Sequence, residues 1–473
     1  MIITTKITFF LILTVASTTV VHAQTPELEK RLSPRVTQEQ VIHSSVRQVR
    51  KNGLRIFATP FTEADGLGSD SNSSGINGQS RPAIFGGFAR VNGLDSQSCG
   101  ECHTLQSADS IPNRFAIGGA GAQSNNLIAS QTLSLDENFT GFYFNPIALF
   151  GIGGAQLVGF EMTAELQLLK ATALTNPGTQ VWLTAKGVDF GVLVCDSSGN
   201  CDFSGVEGVQ DDLVVRPFGH RGSSPTFRQI ATGAFVFHFG MEPVEIVEGA
   251  GLGPDPDGDG IENELLLGEI SAMSIWAGAL RPPVELRKNA SARRGQQLFE
   301  DPSLGCAGCH IPQYVTNTPV LPFAFPEVPT DPSANVYKEI NLRRFHYPRA
   351  SSGIRVRVYS DFKTHDMGSD FSSIPVPFVT AKLWGVADTA PYLHDGRATT
   401  LGAAILEHGG EAYFSAAAYD RLSLEEKKDL IAFLKTLRNP RRPNRGLAPR
   451  SLAWSNEFVH SWSEDEDSEA YDD

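Results

Sequence analysis

Four of the six cysteines in this chain fall in two copies of one pattern, Cys99-Gly-Glu-Cys102-His103 and Cys306-Ala-Gly-Cys309-His310. Two thiols three residues apart can reach the two vinyl groups on one edge of a porphyrin. The next residue then folds under the ring and offers an imidazole nitrogen to iron, which makes this the attachment pattern of c-type haem. A structural zinc site would need a further Cys or His pair at finger spacing, and neither copy has one. A thioredoxin-type redox pair gives no reason for the trailing His. The chain is therefore expected to carry two covalently bound haem c groups. Cys99, Cys102, Cys306 and Cys309 attach them, and His103 and His310 are the proximal iron ligands.

Two further groups carry chemistry. Cys195 and Cys201 bracket Asp-Ser-Ser-Gly-Asn, a turn composition, and are expected to staple a hairpin as a disulfide. Asp255, Asp257 and Asp259 alternate with Pro and Gly in residues 255–264, which resembles a calcium loop. A complete EF-hand would have Glu at its twelfth position, where Leu266 stands. The three Asp residues are candidate calcium ligands, and the alternative is an acidic turn.

The elements around these residues repeat. Gly53-Leu-Arg-Ile-Phe57 precedes the first haem motif and Gly295-Gln-Gln-Leu-Phe299 the second. Each reads as a short amphipathic helix whose Phe packs near a haem edge. The first copy then carries a loop insertion that includes residues 66–75. Downstream come His220-Arg-Gly-Ser-Ser-Pro-Thr226-Phe227 and His394-Asp-Gly-Arg-Ala-Thr-Thr400-Leu401, each running into a helix. The pattern reads as a duplicated cytochrome domain. The expected fold is mainly α, two cytochrome c-like haem domains with long loops and few short strands. The domains are residues 24–283 and 284–440, divided near Arg281-Pro-Pro283. A capped helix is expected over 424–437, stopped by Arg438-Asn-Pro440, and residues 441–473 form an extended acidic tail.

The first 23 residues place a Lys before an apolar stretch and end in Val21-His22-Ala23, the pattern of a cleaved signal peptide. The mature protein is then expected in the periplasm or outside the cell. No later apolar run is long enough to span a bilayer. The net charge of -14 argues against a nucleic-acid partner, because phosphate binding needs a basic face. Residues 464–473 hold seven carboxylates and read as a solvated tail, with an electrostatic handle for a basic partner as the functional alternative.

Tyr392-Leu-His394-Asp-Gly-Arg-Ala-Thr-Thr-Leu401, followed by Glu407-His408-Gly-Gly-Glu-Ala412, resembles the bacterial di-haem oxidoreductases related to di-haem cytochrome c peroxidases. So do Tyr359-Ser-Asp361 with His365-Asp-Met-Gly368, and Lys382-Leu-Trp-Gly385. The resemblance covers residues 47–437, and extends more loosely to the enzyme that matures methylamine dehydrogenase. It implies an N-terminal haem open to peroxide, a six-coordinate C-terminal haem that relays electrons, and a calcium ion between the domains. It also implies a distal ligand fourteen residues after the His of His-Asp-Gly, which is His408 here. Met367 is the other candidate, since Met is a common sixth ligand of cytochromes c.

The resembling peroxidases have a Trp where this chain has His220, and a catalytic Glu twenty residues later, where this chain has Gly240. Glu242 is the nearest candidate for the acid–base group that assists O–O cleavage. No His occurs between Thr104 and Gly219. The first haem is then either five-coordinate or bound by a remote His such as His220 or His238. The expected function is peroxidase-like oxidoreduction, with chemistry at the first haem and relay at the second. A small redox protein or other donor would supply electrons to a small oxidant such as peroxide. A di-haem electron carrier and a di-haem oxygenase are the alternatives.

Overall fold

The computed structural model describes residues 30–68, 98–103, 145–369, 371 and 377–440, excepting the side chains of Glu101, Cys102 and Phe237. The expected signal segment, most of the first loop insertion and the acidic tail lie outside the described residues. The structure is helix-rich with short strands. Among the described residues, no helix is long and apolar enough to cross a membrane.

Two helix pairs frame the two haem motifs. In the first, the Val46–Ala58 helix packs against Leu267–Gly278. Ser45 caps its first turn by accepting from Gln48 N–H, and Val49, Leu54, Ile56 and Phe57 are buried. In the second, Ala290–Glu300 packs against Leu424–Leu434. Asn289 caps one of these helices, and Ser423 and Glu426 form a capping box on the other.

Both pairs cross at a glycine. A Cβ on Gly53 would stand 2.2 Å from the Ala272 carbonyl oxygen, and one on Gly295 would stand 1.8 Å from that of Asp429. One turn further, Phe57 meets Trp276 at 4.5 Å between ring centres, and Phe299 meets Phe433 at 5.3 Å. Positions 53, 57, 272 and 276 thus have the same relation as 295, 299, 429 and 433. The repeated Gly-x-x-x-Phe is the seam that lets two helix backbones touch.

The His220 and His394 loops also match. Phe218 bridges Ser224 and Tyr392 bridges Ala398, both antiparallel. Gly219 and Leu393 share a positive φ, as do Gly222 and Gly396. Thr226 and Thr400 then cap the following helices by accepting from Gln229 and Ala403 N–H.

The helix Leu424–Leu434 is shorter than the sequence suggests. Residues Leu437–Arg438 leave the helical path and pair antiparallel with Val284–Glu285, which ties the end of the second half to its beginning. The boundary near 283 separates the helix pairs but not the cores. The larger core joins N-terminal residues such as Phe57 and Trp276 to Leu321, Ile354, Phe362 and Trp384, and a smaller one runs from Phe299 to Leu437.

The long Ile152–Thr175 helix begins where glycines allow close approach, Gly153 against the Gly278 carbonyl and Gly154 against the Tyr347 ring. A three-stranded antiparallel sheet, Val181–Ala185, Val188–Cys195 and Cys201–Asp202, follows it. Lys186 and Gly187 both take positive φ in its two-residue hairpin turn. Cys195 stands opposite Cys201 in register, and the two form a disulfide.

Candidate haem sites

Each Cys-x-x-Cys segment forms one helical turn that ends on its His. His103 N–H donates to the Cys99 carbonyl and His310 N–H to that of Cys306, each at 2.9 Å. The turn puts the first thiol and the imidazole on neighbouring faces, as one porphyrin edge and its iron require. Among the described side chains, Cys99, Cys306 and Cys309 are outside any disulfide. Burial pushes the Cys306 thiol up to about 11.

Around His310 the geometry fits a saturated iron. The His310 and His408 ring centres are 6.3 Å apart. A metal–imidazole bond of about 2.0 Å on each face, with about 1.1 Å from nitrogen to ring centre, puts trans imidazoles about 6.2 Å apart. His310 Nδ1 lies 3.0 Å from the Tyr359 carbonyl oxygen, and His408 Nδ1 lies 2.9 Å from that of Ala404. A carbonyl only accepts, so both Nδ1 atoms carry the proton and both Nε2 lone pairs are left for a metal. Burial first, then the His408 ring, holds His310 down at about 4. Burial also lowers His408. Both are neutral at neutral pH, the form that ligates.

Met367, the other candidate, is half-buried on the neighbouring turn, and its carbonyl lies against Gly409. That turn is clamped beside His408. His365 Nε2 meets Asp361 Oδ2 at 3.0 Å and its Nδ1 meets Glu411 Oε2 at 2.7 Å, while Asp366 N–H donates to Glu411 Oε1 at 2.8 Å. Burial opposes a charge on His365, but bonds to Asp361, Cys309 and Glu411 outweigh it and push the ring up to about 11. The sequence marked His365 only as part of a motif. Its role as a charged brace next to Cys309 depends on Glu411, which is 46 residues away.

Around His103 the surroundings differ. Burial first, then the nearby His238 ring, holds His103 down at about 4, and the Ile147 carbonyl opposes them. Phe57 lies 6.3 Å from its ring centre. His238 sits in a π-helical turn, Phe235–Phe239, that continues the Phe227–Ala234 helix. Of the two remote histidines considered for this haem, His238 is the one whose charge acts on His103.

His220 is brought to His394 instead, edge-on at 6.4 Å. Its Nε2 lies 2.9 Å from the Asn145 carbonyl oxygen, and Asn145 N–H donates to the His394 carbonyl at 2.7 Å. Asn145 therefore ties the two histidine loops together, two residues before the Ile147 carbonyl that faces His103. Neither loop motif signals this link, because Asn145 lies outside both.

Glu242, the candidate acid–base group, lies next to the acidic loop. Its carboxylate turns to the acidic loop, where Oε1 accepts from Asp257 N–H at 2.7 Å, and burial with the Asp257 charge pushes it up to about 8. Asp255, Asp257 and Asp259 do converge, with carboxylate oxygens within 4.8 Å of one another. Glu242 and Glu264 form a second cluster with Asp257.

Parts of the chain are similar to known proteins. Residues 277–437 match the family described as "Di-haem oxidoreductase, putative peroxidase". A curated relative, "Cytochrome-c peroxidase IdrP2" of Pseudomonas sp. (strain SCT), is 31% identical over 149 residues, spanning 31% of this chain and 39% of the relative. The chain thus covers well under two thirds of that relative's length. Among solved structures, a MauG-like protein associated with microbial copper homeostasis is 14% identical with a TM-score of 0.29, covering 67% of this chain and 98% of the other. Hydrazine synthase of Kuenenia stuttgartiensis is 20% identical with a TM-score of 0.24, covering 62% and 89%.

Proposed function

We propose that this chain, whose residues 277–437 match the di-haem oxidoreductase family, is a member of that family and an exported c-type cytochrome that reduces a small oxidant such as peroxide with electrons from a small redox protein. Cys99, Cys102 and His103 would hold one haem, and Cys306, Cys309 and His310 the other, with His408 as sixth ligand of the second. Bound there, the haems would supply reversible one-electron iron chemistry and, where an axial position opens, reductive cleavage of an O–O bond. The residues of the chain supply the asymmetry between the sites. His310 and His408 would hold the second haem from facing rings 6.3 Å apart, each with its Nδ1 at a backbone carbonyl, and with both as ligands that iron would be left to electron exchange. His103 has Phe57 on one side and the His238 turn close by, and oxidant would be admitted there. The disulfide between Cys195 and Cys201 fits an oxidising compartment.

The observation that carries this reading is the 6.3 Å spacing of His310 and His408. Its test is the electronic and paramagnetic spectrum of oxidised, haem-loaded protein, followed by peroxide turnover with a reduced donor. His408→Ala should convert one low-spin haem to high spin, and Met367→Ala should leave the axial signals unchanged. A His408→Ala protein with every low-spin signal intact refutes the ligand assignment. The nearness of His238 to His103 favours a second reading, an electron carrier. Two low-spin irons that bind neither cyanide nor peroxide would establish it.

A further inference from the structure

Glu242, Asp257 and Glu264 converge from three stretches of the N-terminal half. Each spends one carboxylate oxygen on a backbone N–H. Glu242 Oε1 accepts from Asp257 at 2.7 Å, Asp257 Oδ1 from Asp259 at 3.2 Å, and Glu264 Oε2 from Glu242 at 2.5 Å. The other oxygen of each, Glu242 Oε2, Asp257 Oδ2 and Glu264 Oε1, is buried without a hydrogen-bond partner among the described residues. Glu242 is only 2% exposed and Glu264 only 1%.

Among the described residues no ion pair engages any of the three. Arg35 donates to the Glu264 main-chain carbonyl but gives its charge to Glu269. The three residues bring ligand oxygens within 4.8 Å of one another. Two oxygens on opposite sides of a calcium ion, each at about 2.4 Å, span that same distance. An all-oxygen, carboxylate-rich set of irregular geometry selects calcium over softer metals, and over magnesium with its strict octahedron.

We propose that Glu242, Asp257 and Glu264 hold a calcium ion inside the N-terminal half. The sequence points to Asp255, Asp257 and Asp259. Asp255 instead spends both oxygens on Gly258 and Gly260 N–H, and Asp259 caps Ile261 N–H. They shape the loop, and Asp257 alone of the three turns an orphaned oxygen inward. Glu242 comes three residues after the Phe235–Phe239 turn, whose Phe239 carbonyl accepts from Gly68 N–H at 2.8 Å. Gly66 lies against the Glu264 carboxylate. The ion would thus brace the turn that bears His238.

The test is calcium chloride calorimetry on chelator-stripped, haem-loaded full-length protein. Wild type should bind one ion at this site. Glu264→Gln and Glu242→Gln should each weaken that binding by at least about tenfold, because affinity follows ligand charge. Asp255→Asn should bind nearly as wild type does. Amide exchange on wild type gives a reading that needs no variant, since calcium should slow residues 240–266. Absence of binding, wild-type affinity in Glu264→Gln, or protection confined to other segments overturns the proposal. None of these outcomes bears on haem attachment, whose residues lie elsewhere.

Discussion

Gly295→Ala should destabilise the protein although alanine is the better helix former. The added Cβ would sit 1.8 Å from the Asp429 carbonyl oxygen and 2.4 Å from its carbon, where ordinary contact begins at 3.4 Å. Both partners are backbone in packed helices, so no side chain can swing away. The helices must part by about 1.6 Å, which loosens the Phe299–Phe433 contact one turn on. Overpacking of this kind costs about 1–3 kcal/mol, and a backbone clash belongs at the upper end. Alanine returns about 1 kcal/mol of helix propensity. The net loss should be about 2 kcal/mol, with a similar loss for Gly53→Ala at the matching crossing. Gly233→Ala is the control. Gly233 is helical, and an added Cβ there meets nothing within 4 Å, so this change should stabilise by up to about 1 kcal/mol. Urea denaturation of haem-loaded protein, followed by circular dichroism and Soret absorbance, reads all three. If Gly295→Ala matches or exceeds wild type, as Gly233→Ala should, the crossing is not the tight seam described.

Cys306→Ser with Cys309→Ser should remove one haem mass from the intact matured protein and leave one covalently attached; two haem additions would refute attachment at that motif. Asp429 accepts from Arg294 and from Ser291, bonds that hold its carboxyl below the ordinary 3.8. A depressed folded value means the stabilisation is complete above about pH 4 and is lost as pH falls through the folded value. Wild type should therefore lose stability faster than Asp429→Asn below about pH 4, and parallel acid profiles would refute the pairing. Cys195→Ser with Cys201→Ser opens a loop of six-residue separation, for which chain entropy gives about 2 kcal/mol. The haem spectra should not change, and a shifted spectrum would mean that the sheet supports a haem site directly.

The haem motifs, the duplicated Gly-x-x-x-Phe and the two His loops were legible because each is local. Spacing within a turn or two sets what such residues can reach. His408 was legible only through a family resemblance, and the structure gives it a physical ground in the Ala404 carbonyl and the facing His310 ring. What escaped the sequence was contact between distant segments. Asn145 bridges two loops that are 174 residues apart, and Glu411 reaches back 46 residues to His365. The acidic loop shows the same limit. Alternation with Gly and Pro marks residues 255–259 as a loop, but not which oxygens point inward. That depends on Glu242 and Glu264 arriving from outside the alternating run.

The departure from symmetry between the halves bears most directly on function. After His394, a capped helix ends at Leu406 and His408 meets His310 from the following turn. After His220, the matching capped helix does not end. It widens into the π-helical Phe235–Phe239 turn and delivers His238 four positions later than the duplicated pattern would. A π turn inserts a residue into the helical ladder and breaks its regular hydrogen bonding, which is why such turns recur at functional sites. Here it would place an imidazole near the first haem on a segment less regular than the one that presents His408. Glu242, which follows, ties that segment to the acidic loop, its N–H donating to Glu264 and its Oε1 accepting from Asp257 N–H. In the second half the corresponding brace is His365 with Asp361 and Glu411, a charged clamp complete in itself. On the proposed assignments, the turn that bears His238 would need an external ion for its brace, whereas the turn beside His408 is braced by protein side chains. That difference would suit a first iron that opens to substrate beside a second that does not.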